Sequence, residues 1–386
     1  MFGEGQRTDR GIVLMPMRWA GTAVGRHDQG GAWPLAGVRG TDLGSVAARV
    51  GRAVVFLFWG ACLLGALALF IVHSLTMPMA SQSSAVLVQI PEEASSREIS
   101  RLLEEQGIIR SSRLFELLSR VEGIDDSLKA GYYLLDPAMP LPAVLDQLAA
   151  GRVATRRAFI PEGFNLREIG ARLEVEGIGS AQRFIELASD ERLVYGANSP
   201  LTALVGSRPT PSLEGYLFPD TYQLAVGDEA LAIRTMVDRF LQVAEEMQLA
   251  QRAQAMGMTV HQVVTLASIV EKEAVLDEER PLIAAVFLNR LARNMPLQAD
   301  PTVKYVMEQP RVRLTYADLR IDSPYNTYRY RGLPPGPIAS PGRASLEAVL
   351  QPANVDYLYF VADGRGGHVF SRTFNQHVRA RQRLGY

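Results

Sequence analysis

The sequence is poor in cysteine and histidine and has no excess of charge of either sign. A single cysteine, Cys62, in 386 residues excludes an intrachain disulfide and a thiolate zinc cluster. The five scattered histidines form no HExxH or comparable ligand pair, so we expect no metal site. Forty basic residues against 41 acidic ones give a formal net charge of −1, which argues against nucleic acid as a partner. A hydrophobic content of 47% suits two or three domains stabilised by packing.

One long uncharged run is present near the amino terminus. Residues 53–72 (AVVFLFWGACLLGALALFIV) are about as long as a helix that crosses ~30 Å of hydrocarbon, so we predict a transmembrane helix over 53–73. Seven arginines and four acids precede this run, which places residues 1–52 in the cytoplasm and residues 74–386 outside it. The Gly- and Arg-rich leader is expected to be disordered. A cleaved signal peptide is the alternative, but the apolar run is longer than a usual signal core.

A pattern that begins at Ile90 recurs seventy residues later, beginning at Ile160. Each copy reads as a strand, an Ile-Pro turn, and two helices separated by a glycine, Gly107 or Gly177, that suits a helix end. A returning strand over 130–135 completes a βααβ unit in the first copy, and a further helix comes after it over 141–148. A βααβ unit outside the membrane suggests a glycan-binding module of the LysM type. Alternatively, it only spaces and orients the carboxyl-terminal part of the chain.

Four strings stand out after residue 205, and no packing rule requires them. They are residues 212–222 (SLEGYLFPDTY), 266–274 (LASIVEKEA), 297–303 (LQADPTV) and 323–339, which includes SPYNTY and GLPPGPIA. In this order they resemble the YceG-like family of membrane-anchored endolytic murein transglycosylases over roughly residues 85–386. The resemblance implies an α+β fold, with a LysM-like subdomain over 85–155 and a catalytic domain with lysozyme-like helical elements over 156–386. It also implies non-hydrolytic cleavage of nascent peptidoglycan strands.

The second string lies on a predicted helix that begins with a capping box at Thr259 and Gln262. Glu273 lies one turn after Ile269 and Val270, and such apolar neighbours raise the pKa of a carboxyl group and suit it to donate a proton. Glu271 lies on the opposite flank and is the competing candidate. The family's catalytic glutamate falls in this string, and we match it to Glu273. Surface pairing of both acids with nearby basic residues is the structural alternative.

A single acid is enough for a lytic transglycosylase, because the C6 hydroxyl of N-acetylmuramic acid attacks its own C1. A hydrolase needs a second carboxylate, which would be expected if Asp300 or Glu214 faced Glu273 across room for water. Sugar recognition calls for hydrogen-bonding and flat apolar groups, although many of the candidates also suit turns. The predicted substrate-binding residues are Glu214, Tyr222, Glu271, Gln298, Asp300, Tyr325, Asn326, Thr327 and Tyr328.

The sequence therefore predicts a single-pass inner-membrane enzyme whose catalytic domain faces the cell wall. We expect that it needs no metal and no organic cofactor. Its expected partners are peptidoglycan glycan strands and, from the resemblance, the membrane-bound synthases that make them. Two rivals remain: a non-catalytic glycan-binding scaffold of the cell-wall machinery, and a hydrolase of the muramidase type.

Overall fold

The computed structural model describes residues 43–79, 84–206 and 208–385, and it combines helices with short strands. The chain divides into two units, of which the first ends at Leu67 and the second begins at Ala68. Helix α1 (Leu43–Thr76) contains the predicted span of residues 53–73. Between Arg49 and Thr76 an 18-residue stretch has a mean hydropathy of 2.6 and no buried side chains, so the length and composition of the helix would allow it to cross a membrane. A signal sequence would have the same properties. Residues 1–42, most of the predicted leader, lie outside the described residues.

The first copy of the repeat forms the predicted βααβ unit. Strands β1 (Val86–Ile90) and β2 (Gly131–Leu135) pair antiparallel, with Val88 opposite Tyr133. The helices are α2 (Ser96–Glu105), α3 (Ser112–Val121) and α4 (Leu141–Ala149). Gly107 ends α2 with a φ of +70°, the left-handed conformation expected there. A core of its own stabilises this unit, around Tyr133, Phe115 and Leu145.

The second copy has the same plan with two extra short helices. Strand β3 (Thr155–Phe159) pairs antiparallel with β4 (Thr221–Ala225), which sequence reasoning did not predict. Between them lie α5 (Leu166–Val175), α6 (Ala181–Ser189), α7 (Arg192–Tyr195) and α8 (Leu201–Val205). The two copies are joined where the amide of Ala154 donates to the Tyr132 carbonyl and its carbonyl accepts from the Val226 amide.

A helical layer comes next, with α11 at its centre. The helices are α9 (Glu229–Glu246), α10 (Leu249–Ala255), α11 (Val260–Glu273), α12 (Arg280–Ala292), α13 (Asp300–Val306) and α14 (Arg343–Leu350). The predicted capping box of Thr259 and Gln262 begins α11. Residues 263–270 are all buried, including the polar Thr265 and Ser268. The middle of this helix therefore lies inside the core, and its first and last turns reach the surface.

The chain ends in a hairpin and a basic helix. Strands β5 (Tyr359–Ala362) and β6 (His368–Ser371) pair antiparallel, and α15 (Phe374–Leu384) packs on both. Helix α12 packs against α11 and also contacts β5. Through α12, the hairpin is thus connected to the central helix.

Candidate active site

Glu273 is the last residue of α11, where the central helix emerges from the core. Burial raises the pKa of its carboxyl to about 8, and the negative charge of Asp300 raises it further, against smaller opposing effects of Lys304 and Arg290. No described residue donates a hydrogen bond to this carboxyl group, and none forms an ion pair with it. A carboxyl group in such surroundings holds its proton at neutral pH and is free to deliver it.

Glu271, two residues earlier, has a different environment. Its Oε1 lies 3.1 Å from Nη1 of Arg280, and its Oε2 accepts from the amide of Gly342 at 2.9 Å. Both side chains of this ion pair are more than 90% buried, and Arg280 also donates to Asp277 and Ser345. The hypothesis of a surface ion pair is therefore wrong for Glu271. Its buried carboxylate connects the end of α11 to the start of α14.

Asp300 and Tyr328 form a pair beside Glu273. The hydroxyl of Tyr328 donates to Oδ1 of Asp300 at 2.6 Å, and Asp300 begins α13. Burial raises the pKa of the Tyr328 hydroxyl, and the hydrogen bond to Asp300 and its charge act in the same direction. Tyr328 thus remains a hydrogen-bond donor at any physiological pH. The pair places one carboxylate and one aromatic ring near the proposed acid.

Sequence reasoning missed Arg290, a buried cation on α12. Its guanidinium donates to the carbonyls of Leu297 and Leu358, both at 2.7 Å, and lies over the ring of Tyr359. It also approaches Oε1 of Gln298 at 3.5 Å. The signal available in the sequence was an arginine among the apolar residues of this helix. A buried arginine needs several hydrogen-bond acceptors around it. Arg290 holds the loop that precedes α13, and hence Asp300, in place.

Gln298 is exposed in this loop and has a left-handed backbone with a φ of +52°. Its amide donates to the carbonyl of Thr327 at 3.1 Å. A non-glycine residue seldom adopts this conformation, and such strain is common near functional sites. The side chain of Gln298 is thus presented to solvent next to Asp300.

A second acidic group lies at the start of α5. Glu214 is 4% exposed, and its Oε2 accepts from the amide of Leu166 and from the hydroxyl of Tyr305. Its Oε1 has no partner among the described residues. Burial raises the pKa of Glu214 to about 7. Sequence reasoning missed Tyr305. Its ring packs against that of Tyr325 at a tilt of 45°, with centroids 5.0 Å apart, so the predicted residue Tyr325 joins the same cluster.

Three predicted residues have their polar groups occupied by the fold. The side-chain amide of Asn326 donates to the carbonyls of Leu319 and Ile321. The hydroxyl of Thr327 accepts from the amide of Ala299 and pairs with Thr302 at 2.8 Å. Tyr222 is buried in β4, and its hydroxyl donates to the carbonyl of Phe218. Asn326 and Thr327 shape the site loop, whereas Tyr222 belongs to the core.

The proline-rich loop over 332–339 is held against α11 at two points. His261 accepts at Nδ1 from the Tyr216 hydroxyl at 2.7 Å and donates from Nε2 to the Pro335 carbonyl at 2.8 Å. The amide of Ile338 donates to the buried Ser268 hydroxyl at 3.0 Å. Burial lowers the pKa of His261, which favours its neutral form. His261 therefore has a structural role. Among the described residues, no group of three or more His, Cys, Asp or Glu is arranged to hold a metal ion.

Comparisons with known proteins identify the family of this chain. The profile of the YceG-like family matches residues 88–383. The endolytic murein transglycosylase of Bacillus subtilis strain 168 is 36% identical over 321 residues, which cover 80% of this chain and 88% of the relative. The protein of that name from Streptococcus pneumoniae serotype 2 strain D39 is 33% identical over 326 residues, and the chain spans 58% of its length. A crystal structure of a yceG-like protein from Listeria monocytogenes is 35% identical, with a TM-score of 0.53, covering 78% of this chain and 100% of the other. The chain therefore belongs to the YceG-like family.

Proposed function

We propose that the protein is an endolytic murein transglycosylase. It cleaves the bond between N-acetylmuramic acid and N-acetylglucosamine within nascent glycan strands, leaves 1,6-anhydro ends and so terminates strand elongation. The observation that carries the proposal is Glu273, an acid with a pKa of about 8 and no hydrogen-bond donor among the described residues. The names of the Bacillus and Streptococcus relatives support the same activity.

The proposed reaction needs one proton donor. Protonated Glu273 delivers its proton to the glycosidic oxygen, and the bond from that oxygen to C1 of the muramic acid breaks. The C6 hydroxyl of the same sugar then bonds to C1 and gives its proton to the Glu273 carboxylate. The enzyme ends as it began, no water is consumed, and the product carries a 1,6-anhydro ring.

Charged neighbours suit Glu273 to both steps. The nearby charge of Asp300 favours the protonated form that starts the reaction, whereas Lys304 and Arg290 stabilise the carboxylate that forms after proton transfer. Asp300 also suits an oxocarbenium-like transition state, because its negative charge lies close to where positive charge develops.

We assign the substrate groove to the residues around this acid. Asp300, Tyr328 and Gln298 bind sugar next to Glu273, and Tyr325 provides an aromatic face over Tyr305. Glu214 forms the far wall through its bond to Tyr305. Glu271, Asn326 and Thr327 position these groups without contacting substrate, and Tyr222 stabilises the core.

The proposed chain organisation keeps the predicted boundaries. We propose a cytoplasmic leader over 1–52, an inner-membrane anchor over 53–73, a LysM-like subdomain over 85–155, and a catalytic domain with lysozyme-like helices over 156–386 facing the cell wall. An anchor keeps the site near the membrane, where glycan strands are polymerised, which favours membrane-bound synthases as partners.

Analysis of reaction products tests this function. Full-length protein in detergent is incubated with uncrosslinked glycan strands, and the new ends are identified by mass spectrometry beside the Glu273→Gln variant. We expect internal cleavage with anhydro ends that the variant does not produce. Reducing ends would instead show a muramidase-type hydrolase, and binding without cleavage would show a scaffold.

A further inference from the structure

The carboxyl-terminal segment is strongly basic. Residues 364–386 contain five arginines and no acid, in a chain whose net charge is −1. Three of these arginines, Arg372, Arg379 and Arg383, line one pocket of about 750 Å³ between β6 and α15. Three positively charged side chains around a concave surface indicate an anionic ligand.

The pocket combines these cations with an aromatic wall. The rings of Tyr357 and Phe370 stack with centroids 5.7 Å apart, and both residues line the pocket with Gln376. The guanidinium of Arg372 lies over the ring of Tyr357 and pairs with Asp356, which fixes its position. The pocket therefore offers a prearranged guanidinium, an amide and an apolar surface.

Arg379 and Arg383 are not neutralised by any acid among the described residues. Their guanidinium groups donate to carbonyls of their own helix, those of Asn375 and Arg379. They lie four residues apart on one face of α15, where like charges repel. The negative end of the helix dipole accounts for basic residues in the last turn, but not for Arg372, which precedes the helix.

This pocket is linked to the candidate active site through α12. Asn289 donates to the carbonyls of Val355 and Tyr357, and its neighbour Arg290 donates to Leu358 and approaches Gln298. Tyr357 lines the pocket, and Gln298 belongs to the proposed groove. A long substrate that is bound at Glu273 by one of its sugars could also contact this pocket with another part of the same molecule.

We propose that this pocket binds the carboxylates of the peptide stems carried by the glycan strand. The inference rests on the proposed function, because it assigns the peptide part of the same substrate. Arginine forks match carboxylates in a bidentate manner, and the stacked rings suit the apolar parts of a short peptide. A concave pocket with an aromatic wall fits a peptide chain better than the flat surface of an anionic membrane.

Single substitutions on one helix test the proposal. Full-length Arg379→Gln and Arg383→Gln are compared with Arg381→Gln, which removes the same charge from the same helix but lies outside the pocket lining. Cleavage is measured on uncrosslinked strands with peptide stems and on strands stripped of them. Binding of a soluble muramyl tetrapeptide is measured separately by calorimetry, so the pocket is tested even if no form cleaves glycan.

We expect Arg379→Gln and Arg383→Gln each to weaken tetrapeptide binding about tenfold and to raise KM on stem-bearing strands by a similar factor. Activity on stripped strands, and every property of Arg381→Gln, stay within twofold of the wild type. Equal losses in all three variants, or unchanged tetrapeptide binding in Arg379→Gln and Arg383→Gln, would overturn the proposal. So would a loss confined to binding of vesicles containing phosphatidylglycerol, which would assign these arginines to the membrane.

Discussion

Glu271 and Glu273 lie two residues apart in the last turn of α11, and their carboxyl groups have opposite surroundings. Glu271 is paired with the buried Arg280 and accepts from the amide of Gly342, whereas burial and Asp300 raise the pKa of Glu273 to about 8. One acid therefore fixes the helix end, and the other remains available for proton transfer. This contrast determines which of the two glutamates is the proposed acid.

Replacing Glu273 with Gln should stabilise the protein at high pH. Folded Glu273 keeps its proton up to about pH 8, but the unfolded chain loses it near the ordinary value of 4.5. The folded state binds more protons between these values, so the free energy of unfolding falls as pH rises through this window. Because the side chain retains some contact with solvent, we expect Glu273→Gln to gain about 1–3 kcal/mol at pH 8.5 and little at pH 4.5. Denaturant unfolding at both pH values measures the difference, and equal stability of variant and wild type at pH 8.5 would contradict it.

Glu271→Gln should have the opposite effect. It leaves the buried Arg280 without its main partner, although Asp277 still accepts from it. We expect a loss of about 2 kcal/mol in unfolding free energy at pH 7, since removing one member of a buried ion pair leaves an uncompensated charge. Thermal unfolding of the two variants side by side provides the matched comparison. A stabilised Glu271→Gln protein would show that the ion pair does not hold the helix end.

Tyr328→Phe should affect catalysis more than folding. The substitution removes the donor to Asp300 and leaves the negative charge beside Glu273 less shielded. We expect kcat to fall about tenfold and the upper pKa of the rate profile to rise. Tyr330→Phe is the control, because Tyr330 donates to Asp322 at 2.7 Å on the surface. If both substitutions changed the rate profile alike, the Tyr328–Asp300 pair would have no special role.

Gly215→Ala should destabilise the protein, because the backbone of Gly215 has a conformation that disfavours a side chain. Gly215 has a φ of +83°, and a Cβ there would lie 2.4 Å from Cβ of Pro337, in the loop that covers α11. We expect a cost of about 3 kcal/mol or more, from backbone strain together with the clash. Gly257→Ala isolates the strain alone, because Gly257 has a φ of +70° with nothing within 4 Å, and should cost about 1 kcal/mol. Equal thermal stability of the two variants would show that Pro337 moves away from the added Cβ without a cost in stability.

Local patterns in the sequence predicted much of the fold. The repeat indicated β1, α2 and α3, and the capping box indicated the start of α11, because these signals depend on residues close in the chain. Strand β4 was missed, since its residues lie in a string that reads as polar and proline-containing, and its partner β3 lies more than sixty residues earlier.

The site was harder to predict than the fold. Glu214 and Tyr305 are 91 residues apart and meet only through tertiary packing. Arg290 was hidden in an apolar helix, and its acceptors are backbone carbonyls that no residue pattern identifies. Asn326 and Thr327 resembled sugar-binding residues, yet the loop itself satisfies their side chains.

The pH dependence of kcat/KM tests the central claim most directly. The wild-type protein is assayed on uncrosslinked strands from pH 5 to 10, with Glu273→Gln as the control for residual activity. If Glu273 is the acid, kcat/KM falls above about pH 8, where the free enzyme loses the catalytic proton. Glu273→Gln then retains about a hundredth or less of the activity, with no decline at that pH. A rate that is already declining above pH 5, or a Glu273→Gln protein that keeps the wild-type profile, would contradict the assignment.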